Sequence, residues 1–143
     1  DCLGLGPVAG FLEGGFTAAS SCTEWLEDSP QSSAQTLGRR LGEVEAPLVV
    51  DVRGPSEFEA GHLTGAVNVP LSVLWDRAGE LPMGRELAII SGHGYRSSIA
   101  LSLLMAEGIT TAWNVQGGME AWEARDLPMK TMRPERHHVR TPY

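Results

Sequence analysis

The stretch Ser91-Gly92-His93-Gly94-Tyr95-Arg96-Ser97 packs more potential chemistry into less space than any other part of this sequence. It follows an apolar run, Glu86-Leu87-Ala88-Ile89-Ile90, and leads at once into a helix-like segment, Ser98-Ile99-Ala100. Gly92 and Gly94 let the backbone curl, so that successive amide N–H groups face one point just before a helix begins. That arrangement is an anion nest, reinforced by the positive end of the helix. Arg96 adds a permanent cation with several donors. Ser91 would place its side chain at the concave point. A Ser hydroxyl there becomes a nucleophile only beside a general base, and His93, two residues on, is poorly placed to be one. Two glycines and a serine also make an ordinary strand-to-helix turn, and the loop alone does not separate the two readings.

The loop needs a scaffold, and the rest of the chain has the pattern of one. Pro47-Leu48-Val49-Val50-Asp51-Val52 is a largely apolar run of the kind buried on both faces of a parallel sheet, and Glu86 to Ile90 is a second. Ala66 to Val69, stopped by Pro70, and Ile109 to Val115 read as further strands. Helices are predicted from Ser32 or Ser33, as cap, to Leu41, and over Pro55 to Ala60, with Pro at the start and Gly61 at the end. Others are predicted over Leu71 to Ala78, over Ser97 to Glu107 with Ser97 or Ser98 as cap, and over Met119 to Ala124. Strands alternating with helices predict an α/β fold, a mostly parallel central sheet of about five strands flanked by helices on both faces. Ligands in such sheets gather at the carboxyl ends of the strands, where Ser91 falls. Asp51 and Arg53 close the first buried strand at the same edge.

With 143 residues the chain holds one ordinary domain and little more. Lys and Arg number 11 against 18 Asp and Glu, a net charge of −7, which argues against nucleic acid or an anionic membrane as partner. No apolar run approaches the roughly 20 residues that cross a bilayer, and a cytoplasmic location is expected. The two cysteines, Cys2 and Cys22, imply neither a disulfide framework nor a zinc site. No metal site is expected, and His137-His138 reads as part of a solvated tail. The chain opens at Asp1 without an initiator Met, which reads as a processed or excised piece. Leu12-Glu13-Gly14-Gly15-Phe16-Thr17-Ala18-Ala19 echoes Val115-Gln116-Gly117-Gly118-Met119-Glu120-Ala121-Trp122. Residues 1–20 therefore read as the C-terminal remnant of a preceding module, 21–32 as a linker, 33–128 as the complete domain and 129–143 as a basic tail. Residues 125–143 carry 5 basic and 2 acidic side chains, against 6 and 16 in residues 1–124.

Five separated motifs resemble the rhodanese family of sulfurtransferases in order and spacing. They are Asp51-Val52-Arg53, Glu57-Phe58, Gly61-His62-Leu63-Thr64-Gly65-Ala66-Val67-Asn68-Val69-Pro70, Gly94-Tyr95-Arg96-Ser97 and Gly117-Gly118-Met119-Glu120-Ala121-Trp122. The resemblance implies a loop of the form Cys, four residues, Arg. The thiolate of that Cys takes up a sulfane sulfur as a persulfide and passes it to an acceptor thiol. Rhodanese-like phosphatases and arsenate reductases carry a loop one residue longer, so the length from Ser91 to Arg96 disfavours that class. No cofactor is implied. The N-terminal echo resembles the end of another rhodanese-like module, as found between a metallo-β-lactamase-fold domain and a terminal rhodanese domain, and such an upstream domain is expected in the parent chain.

Against that resemblance Ser91 stands where the family has its Cys. An oxygen nucleophile cannot hold a transferable sulfane sulfur, so the sequence as written is expected to be inactive. Two explanations stay open. Either Ser91 is an engineered or recently lost nucleophile position in a sulfurtransferase, or the domain is a natural non-catalytic binding or regulatory copy. Ser91 and Arg96 are the candidate catalytic positions, Gly92, His93, Gly94, Tyr95 and Ser97 the candidate substrate-binding residues, with Tyr95 and His93 at the entrance. Asp51, Arg53 and Glu57 are supporting residues: Asp51 and Arg53 orient the loop or pair with each other, or Arg53 pairs with Glu57 to hold the first helix. The expected partners are small sulfur-containing anions or a glutathione-type persulfide, and a thiol acceptor. With one fixed cation in the loop, the balance tips toward a low-molecular-weight persulfide.

Overall fold

The computed structural model describes residues 30–131. The expected remnant 1–20, most of the 21–32 linker, both cysteines and all but the start of the basic tail lie outside the described residues. Five strands form one sheet: β1 (Gln31–Ser33), β2 (Leu48–Asp51), β3 (Val67–Asn68), β4 (Leu87–Ile90) and β5 (Ala112–Gln116). Their order is β1-β5-β4-β2-β3 and every pairing is parallel. The helices are α1 (Ala34–Arg40), α2 (Pro55–Ala60), α3 (Leu74–Arg77), α4 (Tyr95–Ala106) and α5 (Gly118–Glu123). This is the α/β architecture that the alternating pattern predicts.

Strand β4 lies at the middle of the sheet, and all four of its residues are fully buried. Its side chains divide between two cores because successive strand residues point to opposite faces. Leu87 and Ile89 pack with Val50, Leu74, Leu101 and Leu104 on one side. Ala88 and Ile90 pack with Leu37, Val49, Val115 and Trp122 on the other. An apolar run without alternation is what a strand covered on both faces requires. The register sets Asp51 beside Ile90 and Ile89 beside Asn114, so β2, β4 and β5 end along one edge of the sheet. Ser91, the next residue after β4, starts from the centre of that edge.

Five local expectations are corrected. Gln31 and Ser32, read as the end of a linker, form β1 with Ser33 and pair with β5. The segment from Leu71 is not one helix; α3 is flanked by 3-10 turns at Leu71–Val73 and Ala78–Glu80. Ile109 is buried in the loop before β5, which starts only at Ala112. Helix α4 begins at Tyr95 with Gly94 as its cap, so Ser97 and Ser98 lie in the first turn and do not cap it. Ser33 does cap α1, its Oγ accepting the Thr36 N–H at 3.1 Å. Lys130, assigned to the tail, forms an antiparallel bridge with His62.

Candidate active site

Ser91 is fully buried at the floor of the loop. Its Oγ accepts the Gly94 N–H at 3.1 Å and lies 3.0 Å from Ser97 Oγ. The Ser97 hydroxyl donates its one proton to the Gly94 carbonyl at 3.0 Å. In the Ser91–Ser97 bond the donor is therefore Ser91. Both partners of the Ser91 oxygen are non-titratable, so no base takes its proton.

The loop owes its shape to Gly94 and to what surrounds it. Gly94 has φ +95°, a left-handed conformation that a side chain would strain. Its carbonyl accepts from Ser97 Oγ at 3.0 Å, Ser98 Oγ at 2.9 Å and Asn114 Nδ2 at 3.5 Å. With the carbonyl held from one side, the loop is fixed with the Gly94 N–H on Ser91. From below, α5 clamps the floor: Met119 N–H donates to the Ser91 carbonyl at 2.8 Å and Glu120 N–H to that of Gly92 at 3.0 Å. This clamp needs Gly118, where a Cβ would overlap the Ser91 carbonyl oxygen and stand 2.8 Å from that of Gly92. Helix α4, twelve residues long, directs its N-terminal dipole at the loop.

Charged residues at the rim are all paired. Arg96 grips Glu57 through both terminal nitrogens, at 2.8 and 2.7 Å. The Arg96 guanidinium holds the Glu57 carboxyl at about 2, well below the usual carboxylate range, with help from the Gly54 N–H and despite partial burial. The same pairing pushes Arg96 up. The Arg53–Glu57 pairing weighed from the sequence is not formed. Instead Arg53 binds Asp51 (Nη2 to Oδ2, 2.7 Å), and this ion pair is buried. Arg53 also donates to the Gly61 carbonyl at 2.7 Å, tying the turn after α2 to the sheet. Asn68 Nδ2 donates to the carbonyls of Asp51 and Arg53. His93 turns outward, its Nδ1 donating to Glu120 Oε2 at 2.7 Å, in a pair that is more than 70% exposed on both sides. Tyr95 stands exposed at the rim. His62 bonds the Phe58 carbonyl and belongs to the α2 turn, apart from the loop. Of the tryptophans, Trp122 and Trp113 are buried and Trp75 is exposed.

The loop candidates Ser91 to Ser97 thus converge, with Glu57 joined to them through Arg96, while Asp51 and Arg53 act on the neighbouring turn. Sequence reasoning missed Ser98, Asn114 and Glu120, which hold the loop from outside it. Asn114 carried a usable signal, a lone amide inside the apolar strand run Ala112-Trp113-Asn114-Val115. Residues 33–125 match the family model described as the rhodanese-like domain. The chain belongs to the rhodanese-like family. A sulfurtransferase of Allochromatium vinosum is 33% identical over 96 residues, 67% of this chain and 90% of that protein. The thiosulfate sulfurtransferase GlpE of Pseudomonas putida is 32% identical over 84 residues, 59% of this chain and 76% of that protein. Among solved structures, the rhodanese-like domain of an Anabaena protein superposes with a TM-score of 0.68 at 30% identity, covering 80% of this chain and 89% of that one. The chain is a rhodanese-like domain homologous to sulfurtransferases. No helix among the described residues is long and apolar enough to cross a membrane.

Proposed function

We propose that the Ser91–Arg96 loop is the sulfur-handling site of a rhodanese-type sulfurtransferase domain. In this reading Ser91 occupies the place of the sulfur-accepting cysteine, so this form does not transfer sulfur. The observation that carries the proposal is the setting of the Ser91 side-chain oxygen. It lies buried at the point where the Gly94 N–H and the Ser97 hydroxyl meet before a twelve-residue helix. A sulfur at that position would be held as thiolate by the amide, the helix end and a hydroxyl that can rotate to it. Rotation leaves the Gly94 carbonyl satisfied, because Ser98 and Asn114 still donate to it.

The chemistry follows for a thiolate at position 91. It attacks the outer sulfur of the donor, an S–S bond forms, and the donor's own S–S bond breaks. Sulfite leaves from thiosulfate, or a thiolate from a persulfide, with the electron pair. An acceptor thiolate then attacks the terminal sulfur of the enzyme persulfide, and the site thiolate departs unchanged. The Ser91 hydroxyl can do none of this, since its proton goes to Ser97 and no base is present to receive it. The donors proposed are small sulfur-containing anions or a glutathione-type persulfide, and the acceptor is a thiol.

A Ser91→Cys variant tests the reading in thiosulfate:cyanide and persulfide:thiol assays. The expected result is a gain of at least about a hundredfold over the parent, a modest share of what an enzyme gains over background. A variant no better than its parent would sink the proposal. That outcome would favour a second reading, a non-catalytic binding domain. One observation speaks for that reading: the buried Ser91 hydroxyl already has both a donor and an acceptor, the Gly94 N–H and Ser97 Oγ.

A further inference from the structure

We propose that Glu57 selects the sulfur donor by cancelling the charge of Arg96, which turns the site away from compact dianions and toward donors with a single charge at the reacting sulfurs. The inference rests on the sulfurtransferase reading for its substrates, though not for its binding test. Arg96 is the loop's only fixed cation. An unpaired guanidinium beside an anion nest would favour the ion with the most charge per atom, which among sulfur donors is thiosulfate. Here both terminal nitrogens of Arg96 are taken by Glu57, at 2.8 and 2.7 Å. Behind this pair stands a second, the buried Asp51–Arg53. The two carboxylates of these pairs therefore cancel the two guanidiniums beside the loop and leave no uncompensated guanidinium charge for an anion. The other cation that His93 could supply faces a carboxylate as well, that of Glu120. What is left for an anion is the amide nest and the α4 dipole, enough for one charge and a weak match for two.

The position of Glu57 makes this pairing deliberate in geometric terms. Its Oε2 also accepts the Gly54 N–H at 3.1 Å, so the carboxylate is anchored at the start of α2 and does not follow Arg96. A donor that wanted Arg96 would have to displace a fixed carboxylate. A persulfide carried on a larger thiol brings at most one charge to the reacting sulfurs and does not need to.

Glu57→Gln removes the charge and keeps an oxygen for both the Gly54 N–H and Arg96. Two measurements separate this inference from the sulfurtransferase reading. In the Ser91 protein, thiosulfate is titrated while the amide resonances of Gly92 to Ser97 are followed. Glu57→Gln should tighten binding about three- to tenfold, the effect expected for one partly screened charge acting on a dianion, and the gain should shrink in high salt. In the Ser91→Cys background, the ratio of kcat/KM for thiosulfate to that for glutathione persulfide should rise by a similar factor. Unchanged thiosulfate affinity in the Ser91 form overturns the inference whatever the catalytic result. If affinity rises but Ser91→Cys is inactive, the charge role stands and the sulfurtransferase reading falls. A loss of fold in Glu57→Gln would show in its thermal unfolding, and Glu57→Ala, which also removes the charge, then serves for the same titration.

Discussion

At the scale of single residues, the arrangement of Ser91, Gly94 and Ser97 makes a definite statement about where protons go. Ser91 donates to Ser97, Ser97 donates to Gly94, and the Gly94 N–H returns to Ser91. Replacing Ser91 by Cys and ionising it reverses one bond only: Ser97 turns from the carbonyl to the thiolate. A hydrogen bond to a charged group contributes about 1.5–3 kcal/mol, roughly one to two pKa units. Adding Ser97→Ala to Ser91→Cys should therefore raise the thiol pKa by at least about one unit, read from ultraviolet thiolate absorbance against pH. Stability should change little, because Ser98 still serves the Gly94 carbonyl. An unmoved pKa would show that Ser97 is not the donor. Ser91, Arg96 and Ser97 were legible in the sequence because a strand, two glycines and a helix stand in immediate succession. The actual partner of Arg96 was not, because Glu57 lies 39 residues earlier and reaches it only through the parallel pairing of β2 and β4.

At the scale of elements, the site depends on α5, which contributes no side chain to the floor. Its first amides bond the carbonyls of Ser91 and Gly92, and Gly118 is what lets the helix come this close. Gly118 has φ +56°, so Gly118→Ala meets both backbone strain and a clash with the Ser91 carbonyl. Unfolding free energy should fall by about 2–4 kcal/mol, measured by denaturant titration, and the amide resonances of Ser91 to Gly94 should shift most. A variant as stable as the parent with an unshifted loop would remove α5 from the site. The pair Gly117-Gly118 stood in the sequence as part of a family-like motif, but nothing there said which carbonyls it would press against. The central elements were readable because β2 and β4 are apolar without interruption and α2 is bracketed by Pro55 and Gly61. The edge strand β1 was not readable. Gln31, Ser32 and Ser33 have no apolar period, and their strand exists only because β5 offers backbone groups to pair with.

At the scale of the whole molecule, the Glu57–Arg96 pair links α2 to α4 and so joins the helices that follow the neighbouring strands β2 and β4 across the edge where the loop sits. This has a consequence for stability against acid. Glu57 titrates at about 2 when folded, against an ordinary value of 4.5, chiefly because of the Arg96 hydrogen bonds. The unfolded chain therefore binds a proton to this group at a higher pH than the folded chain does, and stability rises with pH over that interval. The contribution is fully present above about 4.5 and is lost as pH falls from there toward 2. Both side chains are more than a third exposed, at 38% and 46%, so water and salt screen the pair and it contributes about 1 kcal/mol. Glu57→Gln should match the parent near pH 2, where the parent's carboxyl is becoming protonated, and fall below it by about that amount at pH 6. Denaturant titrations of the two proteins at a series of pH values check this, and added salt should narrow the gap. Parallel curves across the whole range would mean that Arg96 does not hold Glu57 in solution, and the cancelled Arg96 charge on which donor selection rests would fail with it.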